Sequence, residues 1–598
     1  MSHLVTHRRL TLFTISRLVV LCAVASAAAW HVVHRPAVTP LAPVATLEAQ
    51  TRPADLVLTN GTIVTVDDAH PRAEALAATG DTITALGTTT EMQRYIGPNT
   101  RVIDLHGAFA TPGFIESHAH FTGVGDAARN LRLANAGTWD DIVRMVAEAA
   151  AQARPGEWII GRGWHQEKWT TPASPNVQGF PVHEALSRVS PNNPVWLTHA
   201  SGHAGFANAR AMELAGVTRR TPDPPGGAIL RDAQGNATGL FNERAQGLIS
   251  DALAKSRAGR TAAEVEADLR VSIDLASREA LSKGITTVHD AGSPPSTIEV
   301  MKRVVDDHKL PIRVWMMLRE TPDKLEVDMP KYRVVNYGDH RFTVRAIKRA
   351  MDGALGSRGA WMLTPYADMP STSGMSTDTP GDVRETAALA AKFDYQVAVH
   401  AIGDRANREA LNIFEETFTR LKKDGKALRW RIEHAQHLTA QDIPRFGQLG
   451  VIASMQGIHA TSDAPYVLAR LGSQRAEEGA YVWQKLLKSG AVVANGTDAP
   501  VEDINAIANY YATVSRRTKD GTVFFPDQRM SRMEALRSYT MAGAYAGFEE
   551  GFKGSLTVGK LADITVFSKD LLTIPEAEIP TTTVRYTIVG GVVQYQAP

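Results

Sequence analysis

The densest chemistry in this sequence begins at His118-Ala119-His120. Side chains alternate faces along a strand, so imidazoles two residues apart point the same way if the segment is extended. Two imidazoles on one face are ready ligands for a borderline divalent ion such as zinc. Alone, a His-x-His suits hydrogen-bonded core histidines as well as a metal. Four further residues add weight, because Lys348, His400, His434 and Asp498 each close a short apolar run.

Those runs are the elements that must position the reactive groups. Apolar, β-branched segments end at 118, 289, 317, 348, 400, 434, 456 and 498, with alanine- and charge-rich helical stretches such as 385–393 and 406–421 between them. Eight strands alternating with helices predict a parallel (β/α)₈ TIM-like barrel, in which catalytic residues come from several strand ends at one face. A lysine, two histidines and an aspartate at four such ends fit a site better than a bland core. The interval between the first run and the second is too long for one helix and contains strand-like runs at 157–161 and 194–199. It predicts a subdomain inserted at about 125–275, on the first βα loop and over the catalytic face.

Both ends of the folded part are β-rich. Asn60-Gly61 and Gly590-Gly591 are turn signals between strand-like runs, and the two ends together predict one small β-sandwich. The expected organisation is 1–53 export signal and linker, 54–112 and 546–598 the two sandwich parts, and 113–545 the barrel with its insertion. In the first segment Arg8-Arg9 precede an apolar run ending at Trp30, and Ala25-Ser26-Ala27 is a small-residue cleavage signature. The run is shorter than the roughly 20 residues that span a bilayer. Export to the periplasm or medium with cleavage is therefore expected, the alternative being an anchor by the uncleaved segment. The arginine pair loosely matches a twin-arginine signal.

Composition narrows the classes. Sixty-four basic side chains nearly cancel 63 acidic ones, for a net charge of +1, so neither nucleic acid nor a membrane surface is an expected partner. The one cysteine, Cys22, lies in the N-terminal segment, which excludes a disulfide, a thiolate metal site or a cysteine nucleophile in the folded body. Whether the chain self-associates into a homo-oligomer is left open.

Several longer motifs go with these residues. They include Thr111-Pro-Gly-Phe-Ile-Glu-Ser-His-Ala-His120, Gly161-Arg-Gly-Trp164, Ser201-Gly-His203, Met351-Asp-Gly-Ala-Leu-Gly-Ser-Arg358, His400-Ala-Ile-Gly-Asp404, Glu433-His434, Gly496-Thr-Asp498 and Gly554-Ser-Leu-Thr-Val-Gly-Lys-Leu-Ala-Asp563. In them the chain resembles the amidohydrolase superfamily, in the branch of N-substituted formamide deformylases and N-acyl-amino-acid hydrolases. The resemblance runs from about Asp55 to Val593. It implies a metal-dependent hydrolase that cleaves the C–N bond of a small amide-like molecule with a metal-activated hydroxide.

The resemblance also implies roles. His118, His120 and Asp498 would bind one zinc ion, and His400 and His434 a second, with Lys348 bridging them as a carboxylated lysine. Chemistry supports that last role, since an ammonium beside cations is disfavoured and the neutral amine can capture carbon dioxide. The alternative is an ordinary Lys348 ammonium paired with Asp352 beside one metal. Asp498 would take the proton of the attacking water and pass it to the leaving nitrogen. His203 is the candidate donor or substrate ligand, or equally a loop histidine that packs the insertion. Trp164 and Trp169 either line an apolar substrate pocket or form the insertion's core, and Arg358 either binds a substrate carboxylate or is structural. Gln456 and His459 follow the seventh run and are expected to face the cavity as substrate contacts. His289 and Asp290 are expected behind the ligands. The alternatives are a one-metal deaminase or cyclic-amide hydrolase, disfavoured by glutamine in His434-Ala435-Gln436, and a non-catalytic binding or regulatory protein on the same barrel.

Overall fold

The computed structural model describes residues 52–598; the expected export signal and nearly all of its linker lie outside them. Among the described residues no helix is long and apolar enough to cross a membrane.

Eight strands form one parallel sheet in sequential order: β1 (Phe114–Ala119), β2 (Ile285–Ser293), β3 (Arg313–Leu318), β4 (Phe342–Ala350), β5 (Gln396–Ala401), β6 (Arg431–His434), β7 (Ile452–Gln456) and β8 (Val493–Gly496). Typical registers are Val288 beside Glu116, Lys348 beside Ala398, and His400 beside Glu433. Every residue of β1, β3 and β5 is buried, as both faces of a parallel barrel strand must be. The first and last strands meet at their upper ends. The Asp498 N–H donates to the His118 carbonyl and the His120 N–H to the Ala499 carbonyl, each at 2.7 Å. The Thr497 N–H also donates to the Glu116 carboxylate at 2.7 Å. Gly496 permits this closure, because a Cβ there would lie 2.2 Å from Glu116 Oε1 and 2.6 Å from the His118 nitrogen.

Alternation along β4 sends Lys348 into the barrel and Arg345 and Arg349 outward, where both find partners. Arg349 donates to Thr386 Oγ1 (2.7 Å) and the Glu320 carbonyl (2.9 Å), and Arg345 lies over the Phe548 ring at 3.8 Å.

Between β1 and β2 the chain builds a six-stranded mixed sheet from residues 131–132, 159–164, 195–199, 204–207, 227–231 and 237–243. Its core includes Trp139, Trp164, Phe180 and Phe206. The helix that returns to the barrel runs from Ala262 to Ser282, opened by a Thr261–Glu264 capping box. It belongs with β2, so the intervening layer ends before 262, not near 275.

Two further sheets pack across a shared apolar cluster containing Leu56, Leu76, Ile103, Ala110, Ile564 and Ile588. One is built from four N-terminal strands; in the other, Ile564–Phe567 pairs antiparallel with Phe109–Pro112, so both chain ends share a sheet. Asp563, at the start of that C-terminal strand, grips Arg313 at the start of β3 through two bonds of 2.7 and 3.0 Å. Both residues are buried, and the pair ties this β layer to the barrel's lower end.

Candidate metal centre

His118 is the penultimate residue of β1, and His120 is the first residue beyond it, at the N-terminus of the helix Phe121–Arg129. The His120 side chain makes no capping bond and is free to turn to the barrel mouth. Asp498 stands two residues past β8 in a left-handed conformation (φ +59°). Its Oδ1 lies 3.4 Å from Nε2 of both His118 and His120. His434 ends β6 with φ +75°. Ligand atoms of His118, His434 and Asp498 all lie within 4.8 Å of one another.

His400 and Lys348 line the same cleft. The His400 ring is 4.4 Å from that of His434, centroid to centroid, and its Nε2 is 3.5 Å from Asp352 Oδ1. Asp352 does not pair with Lys348. Its oxygens accept the N–H groups of Ile402, Gly403 and Trp361 at 2.7–2.9 Å, which staples the loop after β4 to the end of β5.

The centre is held from behind. His118 Nδ1 bonds to the buried Glu433 carboxylate, which also receives Arg431, and His434 Nδ1 donates to Gln456 Oε1 at 2.7 Å. Each bond fixes a tautomer and leaves Nε2 for a ligand. His118 Nε2, His400 Nε2 and Asp498 Oδ1 are buried without a hydrogen-bond partner among the described residues. Buried polar atoms are almost always satisfied, so three that converge on one cleft fit a cation bound between them. Nitrogen and oxygen donors of this kind suit a divalent ion.

Burial pushes the His400 and His434 imidazoles well below their ordinary value, which keeps them in the neutral form that can bind a cation, whereas at His118 the charges of Glu433 and Asp498 outweigh burial and raise the pKa. Burial opposes ionisation of Asp498, but the charges of His118 and His434, with His120 close by, outweigh it and hold the carboxyl well below its usual range. Burial brings the Lys348 ammonium down to about 8, against the pull of Glu433 and Asp498.

Of the expected substrate contacts, His203 reaches the cleft. Its Nδ1 lies 2.8 Å from Glu243 Oε2, and its ring is 4.8 Å from that of His400. Burial lowers its pKa, yet the Glu243 charge and hydrogen bond win and raise it. His459 also lies at the site, with Nε2 3.9 Å from Asp498 Oδ2, and lines a small deeper recess with His165, His199 and Tyr466. Gln456 orients His434 and is not placed to touch a substrate. Trp164 does not line the cleft. It is fully buried in the insertion's core, donating to the Leu197 carbonyl at 2.8 Å, and Trp169 stacks on it. Arg358 does not serve a carboxylate ligand, because Asp368 already holds it at 2.9 Å. His289 is packed on Trp315 next to Arg431, and Asp290 accepts the Phe121 N–H, so both lie behind the ligands.

Sequence reasoning gave no role to Glu433, Glu243 or Arg162, all of which the structure brings to or behind the centre. Glu433 had a signal, since Arg431 and Glu433 share one face of β6. Strict alternation would then send His434 outward, and only its left-handed backbone turns it to the metal side.

The fold and the site together define a metal-dependent hydrolase built on a parallel barrel. A model of the amidohydrolase family matches residues 101–595, and the chain belongs to that family. It is an amidohydrolase, an enzyme acting on carbon–nitrogen bonds other than peptide bonds. Among its relatives, Protein LONG AFTER FAR-RED 3 of Arabidopsis thaliana is 34% identical over 88% of this chain and 89% of its own length. The N-substituted formamide deformylase of Arthrobacter pascens is 26% identical over 91% and 99%. A solved structure of an uncharacterised metal-dependent hydrolase from Pyrococcus horikoshii superposes with a TM-score of 0.68 at 25% identity, covering 87% of this chain and 99% of that one.

Proposed function

We propose that this enzyme hydrolyses an amide-like carbon–nitrogen bond of a small molecule, with Asp498 as the proton shuttle. The observation that carries this reading is the position of Asp498, whose Oδ1 sits between the Nε2 atoms of His118 and His120. His118, His120 and Asp498 would hold one divalent ion, zinc being the best match, and His400 and His434 a second. Ions held there supply Lewis acidity, making water acidic near neutral pH and polarising a substrate carbonyl. Asp498, kept ionised by its histidine neighbours, accepts the proton of the attacking water and returns it to the nitrogen as the C–N bond breaks. His203, whose pKa Glu243 raises, lines the same cleft and in its protonated form donates to the carbonyl oxygen as it gains charge.

Lys348 would join the two halves as a carbamate. Its neutral amine attacks carbon dioxide, forms the N–C bond and releases one proton. Support comes from its burial and its depressed ammonium pKa beside the ligands. Export and cleavage of the N-terminal segment go with this reading, since Arg8-Arg9 and Ala25-Ser26-Ala27 form the pattern of a removed signal.

The test is metal analysis of the purified chain with an activity screen of N-substituted formamides, N-acyl amino acids, carbamates and lactams. One to two ions per chain and turnover of at least one class are expected. A folded, metal-free chain inert on all four after zinc loading overturns the reading. Mass spectrometry of exported protein should find a new N-terminus between residues 27 and 52; an intact Met1 refutes cleavage.

A further inference from the structure

Beside the metal centre the barrel mouth opens into a cleft of about 880 Å³, between the barrel loops and the inserted sheet. Of the other guanidiniums along it, two are engaged, and Arg319, just past β3, has no side-chain partner among the described residues that fixes its direction. Arg244 pairs with Asp378 at 2.8 Å, and Arg349 is turned to Thr386 and the Glu320 carbonyl. Arg162 differs. It projects from the insertion strand Ile159–Trp164 and lines the cleft with His118, His120 and Asp498. Nε donates to the Pro500 carbonyl and Nη2 to the Ala200 carbonyl, both at 3.2 Å, and the guanidinium makes no ion pair among the described residues. Burial outweighs the favourable charge of Asp498 and brings its pKa down to about 10.

A half-buried guanidinium fixed by two neutral carbonyls has been aimed but not neutralised. Of its five N–H donors two are used. The two on Nη1 and one on Nη2 are left, and they form the end-on fork that grips a carboxylate through two parallel bonds. Gly202 lies against the free end of the guanidinium, where a Cβ would make ordinary contact at 3.5 Å from Nη2 and 3.7 Å from Nη1, and its φ of +74° favours glycine.

We propose that the substrate carries an anionic group, a carboxylate, next to the scissile bond and that Arg162 is the residue that takes it. The inference rests on the hydrolase reading for where the scissile bond lies, while the anion site itself stands on Arg162. Arg162 follows β1 in the chain, so the insertion supplies the anchor and the barrel the chemistry. This gives Arg162 the role that Arg358, committed to Asp368, does not fill.

The probes are N-formyl- and N-acetyl-phenylalanine, as both enantiomers, and their methyl esters, with zinc-loaded full-length enzyme. Wild type should favour acid over ester in kcat/KM. Arg162→Met should cut that ratio about 10- to 100-fold, the range for a charge-assisted bidentate contact, and Arg162→Lys should recover part of it. An unchanged ratio in both variants overturns the anion site and leaves the hydrolase reading intact. If neither probe is hydrolysed, calorimetric affinity for N-acetyl-phenylalanine replaces the kinetic readout. At least 10-fold weaker binding to Arg162→Met supports the site although these amides are not substrates. Wild-type binding of the acid no tighter than of its ester, or equal affinity of wild type and variants, refutes it.

Discussion

Replacing Glu433 by glutamine isolates what stands behind the metal centre. The glutamate is fully buried and accepts from His118 Nδ1 and from Arg431 at both of its oxygens. Glutamine keeps the shape but has one acceptor, so its NH₂ must face either His118 or the guanidinium. Facing His118, it releases the tautomer that leaves Nε2 for metal, and loss of such an orienting bond costs about 10- to 100-fold in metal affinity, or about 1.4–2.7 kcal/mol. Facing Arg431 Nε, it leaves the buried cation without an opposing charge, its partners reduced to the oxygen shared with His118, the Ser117 carbonyl, Ser454 and His289. Breaking a buried pair costs about 3–5 kcal/mol, and the retained acceptor should keep Glu433→Gln near the low end. Competition against a chromophoric chelator gives the metal affinity, and denaturant unfolding with chelator present gives the metal-free stability. Both should fall. Unchanged metal affinity in a destabilised variant would refute the argument that Glu433 sets the His118 ligand.

Four other outcomes follow from the same geometry. Lys348→Ala should lower bound metal and remove most activity, with partial rescue by small carboxylic acids; full activity would exclude a bridging carbamate. Asp563→Asn should destabilise by about 3–5 kcal/mol at pH 7, since it strands the buried Arg313. Arg313 holds the Asp563 pKa below its ordinary 3.8 despite burial, so the unfolded chain binds the extra proton as pH falls. The stabilisation is complete above the unfolded value and is lost as pH falls through the depressed folded one, so the gap between wild type and Asp563→Asn should narrow below about pH 4 in denaturant titrations. Gly496→Ala should cost about 1–3 kcal/mol and most of the bound metal, because its Cβ collides with Glu116 and the His118 backbone; near-normal metal content would sink that account. Glu243→Gln removes the charge that raises His203, so the alkaline limb of kcat/KM should move to lower pH, and an unmoved limb would exclude His203 as the cationic donor.

The sequence alone determined the barrel and the candidates for its site, because both are written in local patterns. Buried parallel strands read as continuous apolar runs, and six residues with ligand chemistry stand at or just past the ends of five of them. Tertiary structure decided what those residues do to one another. His118 and Glu433 are 315 residues apart, and no local rule pairs them. Alternation along β6 points His434 the wrong way, and only its positive φ corrects this. The tryptophans of the insertion and the two arginines considered as anchors show the same limit. Residue type could not say that Trp164 is core, that Arg358 is spent on Asp368, or that Arg162 meets the cleft with its fork free. Burial and charge pairing are set by what folds against a side chain, and here the partners come from distant strands and from a subdomain laid over the barrel mouth.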